Sequence, residues 1–87
     1  MRILVVEDEV RLASSIARGL EAEGFAVDVV HDGHDGLWRA REGVYAAVVL
    51  DIMLPGLNGY EICRTLRSDG VWTPILLLTA KDGEYDE

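Results

Sequence analysis

Three short apolar runs in this chain each end on a residue suited to phosphoryl chemistry: Ile3 to Val6 leads into Glu7-Asp8, Ala46 to Leu50 into Asp51, and Pro74 to Leu78 into Thr79. Runs with no internal polar position are buried on both faces, which calls for a parallel sheet between helix layers. In an open parallel sheet, ligands bind beyond the carboxyl ends of the strands, so the residues that stop the runs are expected in one acidic cup edged by a hydroxyl. Such a cup wants a hard divalent cation, and a carboxylate beside one is able to accept a phosphoryl group.

Between the runs the hydrophobic period lengthens to that of a helix. From about Glu9 to Glu23, Leu12, Ile16 and Leu20 form one apolar face with Ala13 and Ala17, and Gly24 supplies the stop. Ala26 to Val30 reads as a second strand. Asp32-Gly33 starts a short helix through about Arg41, with Leu37 and Ala40 inward and Gly43 ending it. The pairs Pro55-Gly56 and Asn58-Gly59 mark a loop before a third helix through Leu66, which Gly70 closes. The pattern is one α/β domain over residues 1–87, without internal repeat, low-complexity tract or linker.

A chain of 87 residues that is 49% hydrophobic holds enough apolar material for one small core. Its formal net charge of -8 repels nucleic acid and anionic membrane, so cations or basic surfaces are the expected partners. Cys63, the single cysteine, makes no internal disulfide, in keeping with a reducing compartment. The longest apolar run is too short to span a bilayer, and Glu7-Asp8 interrupt the start before it forms a signal-peptide core. The expectation is a cytoplasmic protein.

Val6-Glu7-Asp8-Glu9, then Leu50-Asp51-Ile52-Met53-Leu54-Pro55-Gly56-Leu57-Asn58-Gly59, then Leu78-Thr79-Ala80 closely resemble, in that order and each at the end of a predicted strand, the receiver domain of two-component response regulators. The likeness covers the whole chain. Arg2 to Glu9 and the Leu54-Pro55-Gly56 loop look most like the OmpR/PhoB-like subfamily, whose receivers precede a winged-helix DNA-binding domain. The resemblance implies a flavodoxin-like (CheY-like) doubly wound parallel sheet of about four βα units with strand order 2-1-3-4. It also implies a chain that catalyses only its own phosphorylation and dephosphorylation, and is not an enzyme in the usual sense.

By this resemblance Asp51 is the phosphoacceptor, taking a phosphoryl group from the phosphohistidine of a sensor histidine kinase or from a small acyl phosphate. Asp8 and Asp51 ligate Mg²⁺ directly, Glu7 directly or through water, and the Met53 backbone carbonyl fills a further position. Thr79 hydrogen-bonds a phosphoryl oxygen, and the backbone around Met53 and Ala80 supplies N–H donors. The physics agrees, because a carboxylate attacks a phosphoryl dianion poorly unless a metal screens the repulsion and aligns the two. Mg²⁺ keeps several waters and takes few carboxylates, which suits so sparse a ligand set.

Each of these residues also has an ordinary role. Asp8 suits the N-cap of helix one, Glu7 a solvated neighbour, Asp51 a loop acid and Thr79 a strand terminus. Elsewhere the ordinary role is the expected one. Cys63 reads as a small packed side chain, His31 and His34 as surface residues at a capped helix start, Trp38 as a helix-packing residue and Trp72 as a loop anchor. Arg39, Arg41, Arg64 and Arg67 read as solvated helix faces. Other functions fit less well. A phosphohydrolase built on Asp51 needs a second acid two residues later, where Met53 stands, and a nucleotide binder wants glycine where Glu7-Asp8-Glu9 stand. A plain interaction fragment with solvated acids is the remaining alternative.

Receivers of this family continue with a helix, a fifth strand and a last helix, on the order of 40 further residues. The family's fifth strand carries a lysine that contacts the phosphoryl group, and Lys81, in the loop after strand four, is not its equivalent. Without the fifth strand and last helices, strand four is expected to be a bare apolar edge, through which the chain forms a homodimer or exchanges elements between copies.

Overall fold

The structure, a computed structural model, describes residues 1–78. Strand and helix alternate along it: β1 (Arg2–Val6), α1 (Val10–Ala22), β2 (Ala26–Val30), α2 (Gly33–Glu42), β3 (Ala47–Asp51), α3 (Gly59–Ser68) and β4 (Ile75–Leu78). All ladders are parallel, and the strands lie in the order β2-β1-β3-β4, the flavodoxin-like arrangement expected from the sequence. β1 takes an inner position because it is apolar on both faces: Leu4, Val5 and Val6 are each 0% exposed.

Side chains alternate between the two faces of each strand. Leu4, Val6, Val48 and Leu50 point to the face covered by α2 and α3, where they meet Ala40, Ile62 and Leu66 in the main core. Ile3, Val5 and Val49 point to the other face and pack against Ile16 and Leu20 of α1. Ala13 and Ala17, buried on α1, are the small side chains that let this helix approach the sheet. On β4, Leu76 pairs with Val49 at the end of the sheet and is 60% exposed.

The boundaries depart from expectation where hydrogen bonding outlasts the hydrophobic pattern. β3 runs Ala47–Asp51, one residue later than the apolar run, because Asp51 itself pairs with Leu78. The N-cap of α1 is Glu9, without a side-chain capping bond, so Asp8 does not take the N-cap position. At α2 the Asp32 side chain accepts from the Asp35 N–H at 2.9 Å, and α3 opens with a capping box in which Asn58 and Glu61 bond reciprocally.

Two expected roles are not found. Trp38 is 59% exposed, because the inward stripe of α2 is Gly33, Gly36, Leu37 and Ala40, and position 38 falls off it. Arg67 is not a solvated residue: its Nη1 donates to the carbonyls of Val71 (2.9 Å) and Thr73 (3.0 Å), and its guanidinium lies over the Trp72 ring, 5.4 Å from the centroid. Trp72 is thus anchored by a cation, with its ring largely in solvent.

In the middle of β2, paired with Leu4, Asp28 gathers three partners. Arg2 donates to it at 2.8 Å, the Tyr45 hydroxyl donates at 2.7 Å, and Arg39 lies at 3.9 Å. Burial first, and then the hydrogen bond to Asp28, push the Tyr45 phenol above its ordinary value of 10.0. A folded-state value above the unfolded one means that this stabilisation is fully present below the unfolded value and is lost as pH rises through the folded one. Tyr45→Phe is therefore expected to cost about 1 kcal/mol near neutral pH. In urea denaturation the gap between variant and parent should close above about pH 10; a gap constant through that range would show that the phenol proton is not what stabilises the contact.

Candidate metal centre

The register that pairs Val6 with Leu50 brings Glu7, the residue after β1, across from Asp51 on β3. Both side chains then fall on the same face at the carboxyl ends of neighbouring inner strands, and the β1–α1 turn adds Asp8. The result is a cluster in which one carboxylate oxygen from each of Glu7, Asp8 and Asp51 lies within 4.8 Å of the others. Glu7 is 1% exposed and Asp51 2%, while Asp8 is half-buried. Three anionic groups this close and this dry are costly unless cations or N–H donors face them.

Main-chain donors supply part of that compensation. The Glu9 N–H donates to Glu7 Oε2 at 3.0 Å, and the Met53 N–H donates to Asp51 Oδ1 at 3.2 Å. The Met53 side chain points outward, 58% exposed, so its contribution to the site is made by its backbone. Gly59, the first residue of α3, closes the cup from below: a Cβ there would stand 2.7 Å from the Asp51 carbonyl oxygen, so only glycine lets the helix start against the strand end. Among the described residues the donor set is all carboxylate oxygen, with no thiolate or imidazole in the cluster. That chemistry fits a hard divalent cation such as Mg²⁺ and does not favour zinc or copper.

Glu7, Asp8 and Asp51, expected to share a site, are brought together, and the Met53 N–H reaches Asp51. Thr79 and Ala80 lie outside the described residues; the residue before them, Leu78, pairs with Asp51, and its carbonyl accepts from the Ile52 N–H at 3.4 Å. Cys63 is partly exposed on α3 and is not in the cluster. One contact at the site was not anticipated, although its residue is exposed as expected. His31, the first residue after β2, places Nδ1 2.9 Å from the Glu7 carbonyl oxygen. The signal that would have found it is the strand-end rule applied to β2, which neighbours β1 and stops one residue before His31.

Comparison with known proteins agrees with this geometry. The family model for the response regulator receiver domain matches residues 3–86. The transcriptional regulatory protein TcrA of Mycobacterium tuberculosis is 50% identical over 86 residues, which cover 99% of this chain and 34% of TcrA; the chain thus spans about a third of that relative's length. Among solved structures, response regulator protein TrrA from Thermotoga maritima in complex with Mg²⁺-BeF superposes with a TM-score of 0.87 at 34% identity, over 99% of this chain and 75% of that one. A chain from the complex of histidine kinase ThkA with TrrA gives a TM-score of 0.83 at 37% identity, over 91% of this chain and 68% of its own length. Fold, strand-end acids and family match coincide along nearly the whole sequence, and the chain belongs to the response regulator receiver domain family.

Proposed function

We propose that Asp51 is the phosphoacceptor of this receiver and that Glu7, Asp8, Asp51 and the Met53 backbone carbonyl hold Mg²⁺ beside it. The observation that carries this reading is the convergence of three carboxylates within 4.8 Å at the carboxyl ends of β1 and β3. Asp51, placed on the strand and braced by the Met53 N–H, presents a carboxylate oxygen whose lone pair forms the new bond to phosphorus. As that bond forms, the bond from phosphorus to the donor's imidazole nitrogen breaks, and its electron pair stays on that nitrogen. When bound, the metal screens the charge shared by carboxylate and phosphoryl oxygens and keeps them in line. Thr79 and the Ala80 N–H complete the contacts to the phosphoryl oxygens in this reading.

The donor is a sensor histidine kinase, a reading supported by the likeness to the structure of ThkA with TrrA. In a longer parent the receiver controls an output domain that regulates transcription, a reading supported by the name of the transcriptional regulatory protein TcrA and by the third of its length matched here. A phosphohydrolase is disfavoured, since Met53 stands where the leaving group's acid would be. The test is intact mass after incubation with acetyl phosphate: a one-phosphate adduct should form with Mg²⁺ and vanish when the metal is chelated. An adduct indifferent to chelation would sink the metal assignment.

The exposed Leu76 and the position of β4 at the end of the described sheet support self-association through β4. Sedimentation across a concentration series should then show a rising mass, and a constant monomer mass would rule it out.

A further inference from the structure

Segment 30–34, where β2 gives way to α2, touches both halves of the acidic site. Toward β1, the Val30 carbonyl accepts from the Glu7 N–H at 3.1 Å, and His31 Nδ1 meets the Glu7 carbonyl at 2.9 Å. Both main-chain polar groups of Glu7 are thus engaged by two consecutive residues. Toward the β3–α3 loop, the Gly33 N–H donates to the Pro55 carbonyl at 3.2 Å, a Cβ on Gly33 would overlap the Leu57 carbonyl oxygen, and a Cβ on Gly56 would come within 2.9 Å of the His34 ring. That loop begins just after Asp51 and carries Met53.

A carbonyl oxygen only accepts, so the Nδ1 that faces Glu7 carries the proton. The bond spans 24 residues of sequence and is made by a side chain, which distinguishes it from the ladder contacts that any residue supplies through its backbone. Carboxylates that bind a metal keep their aim through the groups that hold them in turn, and losing such a group weakens binding without removing a ligand. Glu7 starts the turn that delivers Asp8, so a hinge at its carbonyl would loosen both acids together.

We propose that His31 is a positioning residue for the acidic turn, its Nδ1–H bond to the Glu7 carbonyl fixing Glu7 and Asp8 for a divalent cation. This rests on the metal reading given above. Three substitutions separate the bond from bulk. His31→Asn places an N–H donor the same number of bonds from Cα as Nδ1, His31→Gln places it one bond too far, and His31→Ala removes it.

The measurement is Mn²⁺ binding to the chain, with free ion counted by electron paramagnetic resonance, beside Asp8→Asn and the parent. His31→Ala and His31→Gln should weaken Mn²⁺ binding by about 10-fold, while His31→Asn stays within about 2-fold of the parent. Thermal unfolding without metal checks that all variants fold; if His31→Ala does not, the contrast between Asn and Gln decides. Equal binding by parent and all three variants, with Asp8→Asn impaired, would overturn the role of His31 and leave the metal reading standing. Asn as weak as Ala would show that the hydrogen bond is not the agent. A parent that binds no better than Asp8→Asn would remove the metal reading, and this proposal with it.

Discussion

Asp51→Asn is expected to abolish the one-phosphate adduct that acetyl phosphate and Mg²⁺ produce on the parent chain. Asparagine keeps the size of the side chain and an oxygen able to accept the 3.2 Å bond from the Met53 N–H, so the strand end and the loop after it keep their support. What disappears is the charge and the nucleophilic oxygen. An amide oxygen gives no stable acyl phosphate and is a weaker ligand for a hard cation, so the loss should be complete rather than partial and should not recover at higher Mg²⁺. Asp8→Asn makes the informative partner, because it leaves the nucleophile in place: its adduct should form more slowly and respond to added Mg²⁺. An adduct of undiminished size on Asp51→Asn would put the phosphoryl group on another side chain, and peptide mapping would locate it.

The second large effect concerns stability. Leu4 is 0% exposed in the middle of β1, packed between the strands and the α2–α3 layer, and Leu4→Ala empties space that no neighbouring backbone is free to fill. The expected cost is about 2–5 kcal/mol, a large share of the roughly 5–15 kcal/mol that separates folded from unfolded states in ordinary domains. The control is Leu76→Ala on β4, where the side chain is 60% exposed in the single chain, and at protein concentrations too low for association the change should fall within about 0.5 kcal/mol. Urea midpoints at constant slope measure both. If Leu76→Ala cost as much as Leu4→Ala, the exposed face of β4 would have to be covered in solution, and the mass of the species would then need to be read alongside.

The strands were legible because their boundaries are chemical events. β1 stops at Glu7 and β2 at His31, and at both the hydrophobic run and the ladder end together. At β3 the two part company, since a ladder is made of backbone groups and continues through Asp51 whatever side chain stands there. The acidic cup was legible for the same reason: a parallel sheet forces strand ends together, so carboxylates 43 residues apart in sequence, at 8 and 51, meet in space. His31 was not legible. Its partner is a main-chain carbonyl, which leaves no trace in a pattern of side chains, and the neighbouring Asp32 already accounted for polarity at the start of α2. Trp38 and Arg67 were misjudged because helix phase and the course of the following loop decide what an individual position meets, and neither is written at the position itself.

The strand order β2-β1-β3-β4 also orders events in time. Of the four strands β1 is made first and β2, its neighbour on one side, next, but the ladder on the other side of β1 joins Ile3 to Ala47 and Val6 to Leu50. Until residue 51 has emerged, β1, with four of its five residues buried, has one flank unpaired and Glu7 has no Asp51 to face. Every ladder contact is non-local, since parallel neighbours need a crossover between them. The hydrophobic centre and the anionic cup therefore both wait on the same strand, β3.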